Sequence, residues 1–186
     1  MMGNIEFSHD NNGNIFVYTE NDSHPFSYKY DADLIDYIYN KIESDYPQAF
    51  NRLCEIYKEF SWNQRILKFK ICMRFIKCNW GNLDNTLQDI KGDIWNIEVT
   101  QCPLRGECPH ENIICRPRFA SGLSNREIEV LNLLATAKTA KDIANELNIS
   151  IHTACKHVEN IRNKLNMNGK ELIAFHHAHL NELKYD

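Results

Sequence analysis

Residues 123–166 read LSNREIEVLNLLATAKTAKDIANELNISIHTACKHVENIRNKLN, and three helix starts are written into them. Ser124 is followed three positions later by Glu127, the pattern in which a hydroxyl and a carboxylate satisfy the first free N–H groups of a helix. The helix they open carries Ile128, Leu131, Leu134 and Ala135 at the spacing of one inward face. Thr139 stands as cap before AKDIANELN, whose Ile143, Ala144 and Leu147 form a second inward stripe, and the small Ala144 lets two helices cross closely. After the short turn NIS, a third helix sets Ala154, Val158, Ile161 and Leu165 along one face. His152, Lys156, Glu159 and Asn163 lie on the opposite face, at steps of three and four. Two short helices joined by a tight turn, the second presenting polar and basic side chains, form a helix-turn-helix.

This segment resembles the LuxR-type (GerE-like) DNA-binding domain of bacterial transcription regulators. The resemblance rests on Leu123, Arg126, Glu127, Val130, Leu131, Ile143, Ala144, Leu147, Ile149, Ser150, Thr153, His157, Asn160, Ile161, Lys164 and Leu165, and covers the last third of the chain. It implies a four-helix domain whose third helix, Ile151–Asn166, lies in the major groove of double-stranded DNA and whose fourth, Lys170–Leu180, makes a dimer contact. The DNA-contacting set it implies is Thr139, Lys141, His152, Thr153, Cys155, Lys156, Glu159, Asn160, Asn163 and Lys164. Leu172, Ile173, Phe175 and Leu180 are the apolar side chains expected at a homodimer interface, which would place two half-sites about one helical turn apart.

Three positions depart from the family pattern. Cys155 stands where a lysine is common, with Lys156 directly after it. Glu159 replaces a polar or basic residue, and Ala137 replaces the usual glycine after the first helix. Cys155 is either a neutral surface contact or a partner for a thymine methyl. Glu159 either accepts from a cytosine amino group or faces solvent and pairs with Arg162. His176, His177 and His179 cannot all point one way on a helix, so they do not read as a metal site.

Upstream the composition changes, and the domain boundary falls at 118/119. The preceding segment, TQCPLRGECPHENIICRPRF at 100–119, spends three of the chain's seven cysteines on a loop rich in Pro, Gly and charge. Cys102, Cys108 and Cys115 follow a C-x5-C-x6-C spacing, and Cys78 at the end of a predicted helix is the fourth candidate ligand. Cys72 lies six residues earlier, about 240° around the same helix, and cannot share an ion with Cys78; Cys72 and Cys54 read as core. The set suits a structural zinc site of four thiolates tying the helical domain, a strand and the entry to the last domain together. Without a C-x2-C knuckle, and with Pro103 and Pro109 each following a cysteine, an iron–sulfur cluster is the alternative, and free thiols a third. His110 could substitute for Cys78.

The N-terminal part reads as a β-hairpin, Ile5–Phe7 and Ile15–Tyr18 around Asn-Asn-Gly-Asn, and then helices. The first starts near Asp31 with Asp33 as cap candidate and carries Leu34, Ile35, Ile38 and Ile42. The second has Pro47 in its first turn and carries Phe50, Leu53, Tyr57 and Phe60. The third runs from Trp62 to Asn79 with Ile66, Phe69, Met73 and Ile76 on one face, stopping at Gly81. NLDNTLQDIKGD is a linker or short helical turn, IWNIEVTQ has strand character, and His24 beside Pro25 reads as a surface loop residue. The expected fold is mainly α: a β-hairpin with a helical domain, a Cys-rich metal-binding loop, and a C-terminal four-helix helix-turn-helix.

Composition narrows the function. Charged residues are 25% and hydrophobic residues 43% of 186, ordinary for a globular chain. No run approaches the roughly 20 apolar residues that span a bilayer. The polar start MMGNIEFSHDNNGN does not read as a leader. A cytoplasmic location is expected, where clustered cysteines bind metal or do redox chemistry more often than they pair. No Gly-rich phosphate loop, paired carboxylates or Ser/His/Asp arrangement points to an enzyme. Net charge of −4 means that any affinity for DNA must come from local positive charge. It also leaves open an interaction module whose acidic N-terminal part docks RNA polymerase or another regulator.

Overall fold

The computed structural model describes residues 3–10, 12–81 and 88–178. It divides into two compact units, Met1–Arg118 and Phe119–Asp186.

In the first unit, β1 (Asn4–His9) pairs antiparallel with β2 (Ile15–Thr19). Phe7 stands opposite Val17 and Ile5 opposite Thr19. The hairpin turn is closed by Asp10, whose carboxylate accepts from the backbone N–H groups of Asn12 and Asn14. The sheet is larger than a hairpin. β3 (Ser23–Pro25) adds to the outer edge of β2, and the short pair β4 (Ile90–Lys91) and β5 (Ile94–Trp95) adds beyond β1. Strands of two or three residues carry too little alternation to be legible, and β4 pairs with β1 across more than eighty residues of chain. The strand character of 94–101 is realised only at Ile94–Trp95. Residues 82–87 of the expected linker and Asn11 of the turn lie outside the described residues.

Three helices follow the hairpin: α1 (Ala32–Asp45), α2 (Pro47–Ile56) and α3 (Gln64–Asn79). Leu34, Ile35, Ile38 and Ile42 are buried on α1, and Pro47 occupies the first turn of α2. A 3₁₀ turn at Lys58–Phe60 follows α2. Asp31, not Asp33, holds the position before α1, and its carboxylate reaches back to Ser27 N–H at 2.7 Å and His24 Nε2 at 2.7 Å. His24 is therefore a strand residue held between Asp31 and Asp22, not a free loop residue.

The buried stripe of α3 also differs from the expected one. Leu67, Ile71, Cys72, Phe75, Ile76 and Asn79 face inward, while Ile66, Phe69 and Met73 are half-buried. Apolar residues surround this helix, so periodicity selects its face poorly. The contacts made by Phe75 and Trp80 settle it. Trp80 stacks on Phe7 at 5.3 Å and meets Trp95 edge-on at 4.9 Å, and Phe75 packs on Tyr46 and Trp95. Burying several rings of this size supplies much of the unit's apolar stabilisation. The same cluster locks the end of α3 against β1. Gly81 follows with φ +149°, a backbone conformation that favours glycine, and packs beside the His9 ring. Trp62, expected in the helix, precedes it and is exposed.

The second unit is four helices, α4 (Asn125–Ala135), α5 (Ala140–Glu146), α6 (Ile151–Leu165) and α7 (Gly169–Ala178). Ile128, Val130, Leu131, Ile143, Ala144, Ala154, Ile161, Leu172 and Phe175 form its core. Leu134 is only half-buried, as is Ala135; Val130 takes the inward place on α4. Among the described residues, no helix is long and apolar enough to cross a membrane.

Candidate nucleic-acid interface and cysteine pocket

The second unit starts from its caps. Ser124 Oγ and Glu127 exchange reciprocal hydrogen bonds at the start of α4, as do Thr139 and Asp142 at the start of α5. Ser150 opens α6 by accepting from Thr153 N–H at 3.0 Å. The turn between α5 and α6 places Asn148 at φ +52°, a left-handed conformation that asparagine tolerates, and Ile149 N–H closes back on Ala144 O at 2.9 Å. Asn166 ends α6 in the same conformation. Ala144 and Ala154, both buried where α5 crosses α6, leave room for the close approach.

This packing orients α6. Ala154 and Ile161 are buried, with Val158 and Leu165 packed against the core. His152, Cys155, Lys156, Glu159 and Asn163 are exposed, while Thr153 and Asn160 are half-buried at the flanks. Thr139 and Lys141 are exposed at the start of α5. Thr139 Oγ1 is engaged in the cap with Asp142.

Charge on this surface is internally compensated. Lys156 Nζ lies 2.8 Å from the Glu159 carboxylate, and both side chains are well exposed. Lys138 pairs with Glu146, and Arg126 pairs with Glu129 while donating to Leu147 O at 2.7 Å. Lys164 is exposed and reaches back to α4: its ammonium donates to Glu127 Oε2 at 2.7 Å and to Gly122 O at 3.1 Å. Glu127 is 3% exposed. Burial alone would raise its pKa, but Lys164 and Ser124 outweigh that, and the net direction is down. Lys164 thus ties the end of α6 to the start of α4. The sequence places both residues but does not show that they meet.

Of the side chains expected at a dimer contact, Leu172 and Phe175 are buried in the unit's own core, with Phe175 edge-on to Phe119 at 5.2 Å. Ile173 is half-buried, and Leu180, like His179, lies outside the described residues. His176 is buried, with Nε2 2.9 Å from Asn132 Oδ1, whereas His177 is exposed.

In the first unit the four candidate cysteines do converge. Cys78, Cys102, Cys108 and Cys115 line one pocket together with Arg74, Thr100, Arg105, His110, Glu111 and Ile114. Cys72 is fully buried elsewhere, 3.4 Å from Ile35 O, and burial pushes its thiol strongly up; Cys54 is half-buried.

The frame of the pocket is built from protein hydrogen bonds. Asn79, fully buried beside Cys78, donates to Ile114 O at 2.9 Å and accepts from Arg116 N–H at 3.0 Å, so Cys78 and Cys115 are set by one side chain. Thr100 Oγ1 donates to Cys78 O at 3.1 Å, and Arg105 Nη2 donates to Thr100 O at 2.5 Å. Ile114, fully buried, anchors the far end of the loop. Burial pushes the Cys78 thiol up to about 11; Arg74 opposes this and the three other thiols add to it. Arg74 and Asn79 carry no sequence signal beyond standing one turn before and directly after Cys78.

A family model described as bacterial regulatory proteins, luxR family, matches residues 121–176. The transcriptional regulatory protein LiaR of Bacillus subtilis is 43% identical over 61 residues, which is 33% of this chain and 28% of that protein. The uncharacterized response regulatory protein YgeK of Escherichia coli is 45% identical over 64 residues, 34% of this chain and 44% of that protein. The spore germination protein GerE of Bacillus subtilis is 39% identical over 62 residues, 33% of this chain and 84% of that protein. This chain therefore spans less than half the length of LiaR and of YgeK. No solved structure shows a significant match. With its second unit covering nearly all of GerE, the chain belongs to the luxR family of bacterial regulatory proteins.

Proposed function

We propose that the protein is a sequence-specific DNA-binding transcription regulator that reads the major groove with α6. The observation that carries this is the division of α6 into a packed face, Ala154 and Ile161, and an exposed face of His152, Cys155, Lys156, Glu159 and Asn163. A helix so divided, held by a tight turn over a second helix, offers base-edge donors and acceptors at major-groove reach. Thr153 and Asn160 flank that face, Thr139 and Lys141 approach the phosphates from α5, and Lys164 acts by fixing α6 on α4. The compensated charge calls for two copies on paired half-sites, since one domain neutralises few phosphates.

The four thiols hold a metal centre of structural type, supported by their convergence on one pocket. Four thiolates leave no open position for a substrate.

Selection of binding sites from random duplex DNA, followed by anisotropy titrations, tests the DNA reading. The expected result is one enriched motif, and affinity that falls several-fold in Lys156→Ala while the melting temperature holds. A folded protein that enriches no motif would overturn it and favour the docking module.

A further inference from the structure

Cys78, Cys102, Cys108 and Cys115 line one pocket, but their sulfurs do not stand at the spacing of a single tetrahedral ion. A zinc ion bound by four thiolates at about 2.3 Å draws its sulfurs to about 3.8 Å from one another. Among the described residues, no three of these cysteine sulfurs lie within 4.8 Å of one another, although all four line the same pocket. A cubane iron–sulfur cluster has the opposite requirement: each thiolate binds a different iron, so the sulfurs stand at the corners of a wider tetrahedron.

Two nitrogens support the same guest. Arg74 Nε and His110 Nδ1 line the pocket, are buried, and have no hydrogen-bond partner among the described residues. A buried donor left unmatched costs about 1–3 kcal/mol. Bridging sulfides and cluster-bound thiolates accept such bonds, and hydrogen bonds to the sulfurs are one of the means by which a protein tunes a cluster. The Arg74 guanidinium also offsets the negative charge that four thiolates bring.

Asn79, Thr100 and Arg105 hold the walls through protein hydrogen bonds alone. Cys102 is exposed, so one corner of the pocket opens to solvent.

We propose that Cys78, Cys102, Cys108 and Cys115 bind one four-iron cluster, with Arg74 and His110 donating hydrogen bonds to its sulfurs. This rests on the reading of the pocket as a metal centre.

The test is anaerobic purification of the full chain, with iron, sulfide and zinc counted per chain and the absorption spectrum recorded, before and after reconstitution with ferrous iron and sulfide. The expected result is about four irons and four sulfides per chain and a brown chromophore near roughly 400 nm. In Cys102→Ser and Cys108→Ser, both checked for folding by circular dichroism, iron should fall several-fold; in Cys54→Ser and Cys155→Ser it should not. Arg74→Gln should keep the iron but shift the cluster's reduction potential. One zinc per chain, with no iron uptake, would overturn the cluster while sustaining a metal centre. A folded chain that takes up neither would overturn both.

Discussion

The buried side chain of Asn79 donates to the backbone carbonyl of Ile114 at 2.9 Å, joining the last turn of α3 to the far end of the cysteine loop. The same amide accepts from Arg116 N–H at 3.0 Å. One amide group thus bridges a sequence separation of 35 residues. Cys78 and Cys115, each next to one of the bonded residues, are thereby held on the same pocket.

Asn79→Ala should therefore destabilise the first unit by about 1–3 kcal/mol, because the buried Ile114 carbonyl and the part-buried Arg116 N–H lose their partner. Urea unfolding measures this. A loss below about 1 kcal/mol would show that water replaces the amide, and the bridge would not be what positions the loop.

At the α6 surface, Lys156 and Glu159 form an exposed pair at 2.8 Å. If α6 reads DNA, Glu159 both occupies the lysine and repels phosphate. Glu159→Gln should then raise DNA affinity roughly three- to tenfold and steepen its salt dependence by up to about one counterion. Weaker, sequence-altered binding would mean instead that the carboxylate contacts a base.

Ala137 ends α4 at φ +59° and is exposed. A side chain in this region costs about 1–2 kcal/mol, part of which glycine returns through its greater freedom in the unfolded chain. Ala137→Gly should stabilise the second unit by about 0.5–1 kcal/mol in thermal or chemical unfolding, with no change in its helix content. A destabilising effect would refute strain at this turn.

His176 and His24 should answer acid with opposite signs. Burial holds His176 below its ordinary value of 6.5, with His177 adding to the effect. The unfolded chain then takes up a proton that the folded unit refuses, so His176's contribution is full above 6.5 and is lost as pH falls through it. His24 runs the other way. Its hydrogen bond to Asp31, helped by Asp22, raises it above 6.5, so its contribution is full below 6.5 and is lost as pH rises through the raised value. Melting curves taken from about pH 5.5 to about pH 7.5 should show His176→Gln flattening the acid loss and His24→Gln flattening the alkaline loss. Parallel curves for wild type and variants would remove these groups as the cause.

The helices of the second unit follow from local chemistry. Ser124 with Glu127, Thr139 with Asp142, and Ser150 each satisfy a helix start within four residues, and the 3.6-residue period of Ile143, Ala144, Ala154 and Ile161 selects the packed face. The hairpin was legible for the same reason: the turn and its two strands lie within about fifteen residues. The four cysteines could be nominated from their rarity and clustering, but not shown to meet. What only the tertiary structure decided are relations between distant residues. β4 joins β1 across the three helices, the buried stripe of α3 is chosen by Trp80 and Trp95, Lys164 reaches Glu127, and Leu172 and Phe175 enter the core. Each depends on which of several apolar or charged partners is nearest after collapse. That is a property of packing among elements far apart in the chain, and no local period or cap encodes it.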